Sequence, residues 1–319
     1  MSDMDYVFAV ARIRAKEKNL FSEADIRQMT GMKTIGEVLT FLTDRGWGEA
    51  SQNPDADAIL EQEEEKTRQI LREIRLEPAA EAVLSYPQLY HNLKAGIKEV
   101  CTSDRHEGIF YEIRDFAPEK VVDILQERKF QALPDHMRRT AEKAMDIMVK
   151  NRDGQRCDAV VDRGCLEAMR SAGSQSSHNT IREYARTVVA VTNIKIAARA
   201  QRTGKDLNFL REALASNDMI DPAGLAQAAA SGSDAFLSFL DSHGWQDAAD
   251  ALRESDGAFE RWCEDRKLKA LRAQSGDIES PSPIIAYYLA RQNEIRKARV
   301  ILTGKANGFS EEEIAERVR

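Results

Sequence analysis

The sequence predicts an all-α protein, and three observations carry that prediction. Charged residues make up 31% of the 319 positions, a share that favours long solvated helices. Only 8 prolines interrupt the chain, and proline is the residue helix interiors tolerate least. Apolar residues recur at helical spacing, whereas alternating strand patterns with hairpin dipeptides are hard to find. With 42% hydrophobic residues and a mean hydropathy of −0.50, the chain can still bury a core.

The elements follow in order. Tyr6–Asn19 reads as a first helix carrying Arg12, with Lys18 six residues on. Val38-Leu39-Thr40-Phe41-Leu42 reads as an amphipathic helix that ends at Arg45-Gly46-Trp47. Over Asp57–Leu76, Ile59, Leu60, Ile70, Leu71 and Ile74 form the apolar side, and Glu61, Glu63, Glu64 and Glu65 form a solvated one. Tyr90-His91-Asn92-Leu93-Lys94 with Lys98 marks a further helix. Near the end, Ile284, Tyr288, Ile295, Ala298 and Leu302 share one face. Pro281 and Pro283 precede that helix, and Gly304 reads as its C-terminal cap. Breaks are expected at Ser51–Pro54, Ser103–Glu107, Asn151–Gln155, Ser171–Ser177, Ser231–Ser233 and Ser275–Pro283.

Pieces of this pattern recur, as in a repeat protein. A basic residue follows an arginine by six positions three times, as Arg12 and Lys18, Arg199 and Lys205, and Arg299 and Lys305. An aromatic lies five residues after the last leucine of an apolar run three times, as Trp47, Phe130 and Trp245. Each aromatic is expected to plug the packing where its helix ends. A second element follows each copy: Asn92-Leu93-Lys94, then Asn193-Ile194-Lys195, then Asn293, where Glu294-Ile295 departs from the Asn-apolar-Lys pattern. The asparagines are expected to cap or hydrogen-bond a neighbouring segment; ligand contact is the alternative. Three units result, 1–112, 113–212 and 213–319.

The bulk chemistry excludes several functions. A net charge of −7 and a pI of about 5.5 argue against nucleic acid as the main partner, because phosphate binding needs a basic face. Cys101, Cys157, Cys165 and Cys263 form no CxxC pair and read as free thiols in a reducing compartment. The acidic start lacks a signal-peptide pattern, and no run approaches the apolar length of a membrane span. Thr203-Gly204-Lys205 and Thr303-Gly304-Lys305 superficially match the end of a phosphate loop. The required earlier glycine is missing, and Asp206 or Ala306 stands where Ser or Thr belongs. His91, His106, His136, His178 and His243 show no catalytic or metal-ligand spacing. No catalytic residue, cofactor site or metal site is expected.

The residues carry one resemblance. Pro283–Leu289, Asn293–Arg296, Arg299–Lys305 and Ser310–Ile314 resemble the C-terminal signature of the AC39 family, the C subunits of V-type ATPases and their eukaryotic d counterparts. Tyr90–Lys94 is similar to that family's recurrent Asn-apolar-Lys helices, and Tyr6-Val7, Arg12, Arg14, Leu20 and Phe41-Leu42 resemble its N-terminal helix pair. The resemblance spans nearly the whole chain; residues 108–190 match only in outline. It implies a non-catalytic, all-helical funnel of three similar subdomains on the cytoplasmic side of a membrane. It implies partners as well: a proteolipid ring below, and the D and F subunits of the central shaft above. Two rival readings stay open on the residues alone. A helical scaffold would need an exposed groove lined with apolar and basic residues, and a helical enzyme would need His106 or His178 beside carboxylates in a deep pocket.

Overall fold

A computed structural model describes residues 3–48, 55–74, 76–102, 109–111, 113, 116–272 and 278–318. The expected breaks at Ser51–Pro54 and Ser103–Glu107, the start of that at Ser275–Pro283, and His106 lie outside the described residues. Among the described residues there are helices and no strand. In chain order they are α1 (Asp3–Glu17), α2 (Glu23–Gly31), α3 (Ile35–Asp44), α4 (Ala56–Glu73), α5 (Pro78–Thr102), α6 (Pro118–Gln126), α7 (Asp135–Asn151) and α8 (Gly154–Ser174). There follow α9 (Asn179–Arg202), α10 (Leu207–Ala213), α11 (Pro222–Ala230), α12 (Ser233–Ser242), α13 (Gln246–Glu254), α14 (Asp256–Arg272), α15 (Ser282–Ala306) and α16 (Glu311–Val318). A short 3-10 turn, Phe130–Ala132, follows α6.

Local chemistry sets many of the helix starts. Ser22 and Asp25 form a reciprocal capping box at α2, and Ser310 and Glu313 form another at α16. Thr34, Asp55, Asp153, Asp206 and Asp221 each accept a first-turn backbone N–H. Pro118 and Pro222 occupy the first helical position, where no N–H is missed. The breaks expected around residues 151–155 and 231–233 fall between α7 and α8 and between α11 and α12. Pro87 lies inside α5, and the helix continues through it.

The contacts divide the chain into two units, residues 1–77 with 251–319, and residues 78–250. In the first, one long helix organises both ends of the chain. Val38, Leu42, Trp47, Ile59 and Leu60 bury against Ile295, Ala298, Ile301 and Leu302 of α15, with Ile314 of α16 closing the cluster. Tyr6, Val10 and Ile13 of α1 bury against Ile284 and Tyr287 at the start of α15. The expected apolar face of α15 is therefore buried in full. In the second unit α8 packs against α5, α7, α9 and α10. Close approach of α8 and α9 depends on Gly173, where a Cβ would lie 2.3 Å from the Cβ of Ala185.

Two sequence expectations need correction. Glu63 does not sit on a solvated face, because its side chain is 4% exposed. Gly304 does not end α15 either. The helix runs on to Ala306, and Gly308 takes the left-handed backbone at φ 69°. Gly304 is buried within the helix because α16 folds back onto it, and a Cβ there would lie 2.6 Å from Ile314 Cγ1. Gly204, its sequence counterpart, does follow its helix with φ 64°. Gly304→Ala is expected to destabilise the chain despite removing a helical glycine. Helix propensity would gain up to ~1 kcal/mol, whereas overpacking costs about 1–3 kcal/mol. An unchanged or raised Tm in thermal unfolding would contradict the close approach.

Candidate functional site

The three aromatic positions resolve into two equivalent ones and one displaced by a residue. After α3, Gly46 turns left-handed at φ 80°, and Trp47 donates its backbone N–H to Leu42 C=O at 3.0 Å. After α12, Gly244 turns at φ 81°, and Trp245 donates to Leu240 C=O at 2.9 Å. Both indoles are 3% exposed. After α6 the left-handed residue is Arg128, and the equivalent bond, 3.0 Å to Ile124 C=O, comes from Lys129. Phe130 therefore falls one residue beyond the plug position and is half-buried in the 3-10 turn.

The asparagines form a stricter motif. Asn92, fully buried in α5, accepts the Tyr111 N–H at 2.8 Å and donates to the Tyr111 carbonyl at 2.7 Å. Asn193, fully buried in α9, accepts the Ala215 N–H at 3.0 Å and donates to the Ala215 carbonyl at 2.7 Å. Each side-chain amide thus brackets both polar groups of one downstream peptide residue. An amide suits this role because it carries a donor and an acceptor side by side. The alternative, a ligand-facing asparagine, is excluded at both sites by burial and by these bonds.

The third copy uses Glu294, which the sequence pattern had marked as a departure. Glu294-Ile295-Arg296 stands where the other copies read Asn-apolar-Lys, and Ile295 is buried like Leu93 and Ile194. Glu294 Oε1 accepts the backbone N–H of Phe21, between α1 and α2. A carboxylate cannot donate, so its second oxygen needs a donor, and Arg291 supplies one at 2.5 Å. The other arm of the Arg291 guanidinium meets Glu63 Oε2 at 2.5 Å. Glu63 Oε1 in turn accepts the Gly48 N–H at 3.0 Å and pairs with Lys66 at 2.6 Å. The guanidinium also lies 4.7 Å from the Trp47 ring centre, and Phe21 stacks on that ring at 5.2 Å. Asn293 itself is half-buried and accepts from Arg296. Burial pushes the Glu294 carboxyl above the usual carboxylate range, against the pull of Arg291 and the Phe21 N–H.

The remaining singled-out residues are placed as follows. Arg12 is exposed and pairs with Glu73 at 2.5 Å, while Lys18 is exposed in the turn after α1. Lys94 and Lys98 tie α5 to Asp162 and Asp158 of α8 at 2.5 and 2.9 Å. Lys195 is half-buried on α9, and Arg199 is exposed in its last turn. Lys205 bonds Gln155, Arg299 bonds Glu64 at 2.8 Å, and Lys305 donates to Thr30 C=O at 2.6 Å. The structure thus gathers Trp47 into the Glu294 cluster and leaves the other residues in separate local contacts. Sequence reasoning missed Glu63, Arg291 and Glu294. The available signal was the register, since a polar-apolar-basic triplet begins one residue after Asn293.

Three of the described histidines make local contacts. His136 stacks on Tyr86 at 4.1 Å, His243 stacks on Phe239 at 4.0 Å, and His91 donates to Ile109 C=O at 2.8 Å. Burial pushes the thiols of Cys157 and Cys165 up to about 12, far from a reactive range. A shallow groove between α2 and α3 is lined by Gln28, Met32, Glu37, Thr40, Phe41 and Asp44. It is apolar and acidic, and lacks the basic side chains a peptide-binding scaffold would need. Among the described residues no group of His, Cys, Asp and Glu is gathered to hold a metal, and no helix is long and apolar enough to cross a membrane.

The fold and the brackets define an all-helical protein whose recurring polar residues hold its own backbone. The chain belongs to the family described as ATP synthase (C/AC39) subunit, which it matches over residues 9–317. It is 22% identical over 323 aligned residues to the C subunit of the V-type sodium ATPase of Enterococcus hirae, covering 99% of this chain and 98% of that one. It is 28% identical over 162 residues to the C subunit of the A-type ATP synthase of Halorubrum lacusprofundi, covering 48% and 46% of the two chains. The family is an accessory subunit of an ATPase, and ion transport follows from that complex.

Proposed function

We propose that this chain is the central-stalk socket of a rotary V-type ATPase. It receives the D and F subunits of the shaft, rests on the membrane proteolipid ring, and passes torque between ATP hydrolysis and transport of H⁺ or Na⁺. It acts without a catalytic residue or cofactor, on the cytoplasmic side, attached to the membrane through the complex. The observation that carries this reading is the buried polar side chain that ties a long helix to a distant backbone segment, twice as an asparagine bracket and in the third copy as a single Glu294 bond, in a chain that matches the family over residues 9–317. We assign Arg12, Lys18, Trp47, Asn92, Lys94, Phe130, Asn193, Lys195, Arg199, Trp245, Arg299 and Lys305 to a structural repeat. Its three helical subdomains, 1–112, 113–212 and 213–319, would form a funnel with pseudo-threefold arrangement. A torque-bearing socket must be stiff, and close-packed helices tied by buried polar bonds yield little under strain.

Reconstitution tests the reading. Complexes assembled without this chain should hydrolyse ATP and fail to pump ions, and adding the chain back should restore pumping. Pumping that continues in its absence overturns the proposal.

A further inference from the structure

The groove between α2 and α3 carries charges that its own chain does not pair. Its volume is about 590 Å³, within the range of sites that accept a ligand. Met32 and Phe41, both half-buried, give it an apolar floor. The charged residues that line it are Glu37 and Asp44, both exposed. They stand seven residues apart on α3, which puts them on one face about 10 Å apart along the axis, with Phe41 between them. Asp44 is the last residue of α3, where the helix dipole disfavours an acid. Among the described residues it has no hydrogen bond or ion pair to offset that placement. The neighbouring Arg45 is committed elsewhere, to Asp25 and to the rings of Phe21 and Phe41. Glu37 spends one oxygen on the Lys33 backbone N–H, at 2.8 Å. Arg27 and Lys33, also exposed on these two helices and their connection, do not line the groove.

Gly36, which lines the same groove, adds a second observation. It lies in the first turn of α3, and glycine is a poor helix former. A Cβ there would meet only Thr34 Oγ1, at 3.9 Å, so no neighbour within the chain needs the space. In this it differs from Gly173 and Gly304. The missing side chain leaves α3 open to close approach from outside.

We propose that this groove docks an amphipathic helix of a partner protein, one that carries two basic residues seven positions apart with apolar residues between them. The basic pair answers Glu37 and Asp44, the apolar residues cover Met32 and Phe41, and Gly36 lets the partner approach closely. A helix fits because the same seven-residue step returns a side chain to one face at the same rise in both partners. The lining repels an acidic segment, and it repels an anionic membrane surface for the same reason. The surface is separate from the buried Asn and Glu294 bonds, and it stands apart from the torque-passing reading.

Binding of a labelled peptide to the full chain, read by fluorescence anisotropy, tests this. The probe is an alanine-rich helical peptide of about 20 residues, with two lysines seven positions apart and two leucines between them. It should bind saturably, and added salt should weaken it. A peptide of the same composition with its lysines five positions apart, on different faces, should bind at least about tenfold more weakly. Asp44→Lys should weaken the matched peptide by about tenfold or more. Gly36→Gln, which fills the groove without changing its charge, should do the same. Both variants should keep the native circular dichroism, because a lysine suits the C-terminal end of α3 and open space surrounds Gly36. The comparison of the two peptides on the wild-type chain needs no variant to fold. Absence of saturable binding, equal binding of both peptides, or full affinity in either folded variant overturns the proposal. So does attachment to phosphatidylserine vesicles, or self-association of the chain, that Gly36→Gln abolishes, since each gives the groove another occupant.

Discussion

Replacing Arg291 by Ala should lower the stability of the unit formed by the two chain ends by about 3–5 kcal/mol, the usual cost of stranding one side of a buried ion pair. The loss is large because one guanidinium serves two carboxylates, Glu63 and Glu294, each less than a tenth exposed. Without it, Glu63 retains Lys66 and the Gly48 N–H, while Glu294 retains only the Phe21 N–H. The stack of Arg291 on Trp47 is lost as well. Arg291→Lys should recover only part of the stability, because an ammonium cannot place two rigid forks on carboxylates from two helices. Urea unfolding followed by far-ultraviolet circular dichroism measures both. A loss below about 1 kcal/mol for Arg291→Ala would mean that the cluster is hydrated and behaves as an exposed pair.

Asn193→Leu should cost nearly as much, by a different route. The substitution keeps an apolar side chain of similar size on α9 but leaves the Ala215 N–H and C=O without their partners. Ala215 is fully buried in a cluster with Leu166 and Val189, so water cannot replace the amide. Each orphaned backbone group costs about 1–3 kcal/mol, which gives a total of roughly 2–6 kcal/mol. Asn92→Leu removes the same pair of bonds, but its partner Tyr111 is 41% exposed. Its two bonds are only part-buried, whereas those of Asn193 are buried, so the loss should be clearly smaller. Equal losses for the two variants, or a larger one for Asn92→Leu, would contradict burial as the deciding variable.

The repeat also shows how far one-dimensional spacing can be trusted. Trp47 and Trp245 were legible because each closes its helix over a glycine, and Gly46 and Gly244 adopt the same left-handed backbone. Phe130 satisfied the same count, yet Arg128 makes the turn there, so the equivalent position falls on Lys129. The asparagines were legible as residues but not as brackets. Their partners, Tyr111 and Ala215, lie 19 and 22 residues downstream in segments with no motif of their own. Glu63 was read as one of four solvated acids because nothing near it in sequence distinguishes it from Glu61, Glu64 and Glu65. Its partner, Arg291, is 228 residues away.

By itself the sequence determined the all-α class, several helix starts, the buried face of α15 and a recurring Asn-apolar-Lys element. These depend on spacing within a few turns, where the helical period and the capping side chains act directly. Only the tertiary structure decided that Gly304 lets α16 close on α15, that Asn92 and Asn193 hold backbone, and that Glu294 takes their place in the third copy. Each of these depends on which distant atoms share a dry site. A buried polar group must find its partner wherever the packing brings one, and that choice leaves no periodic trace along the chain.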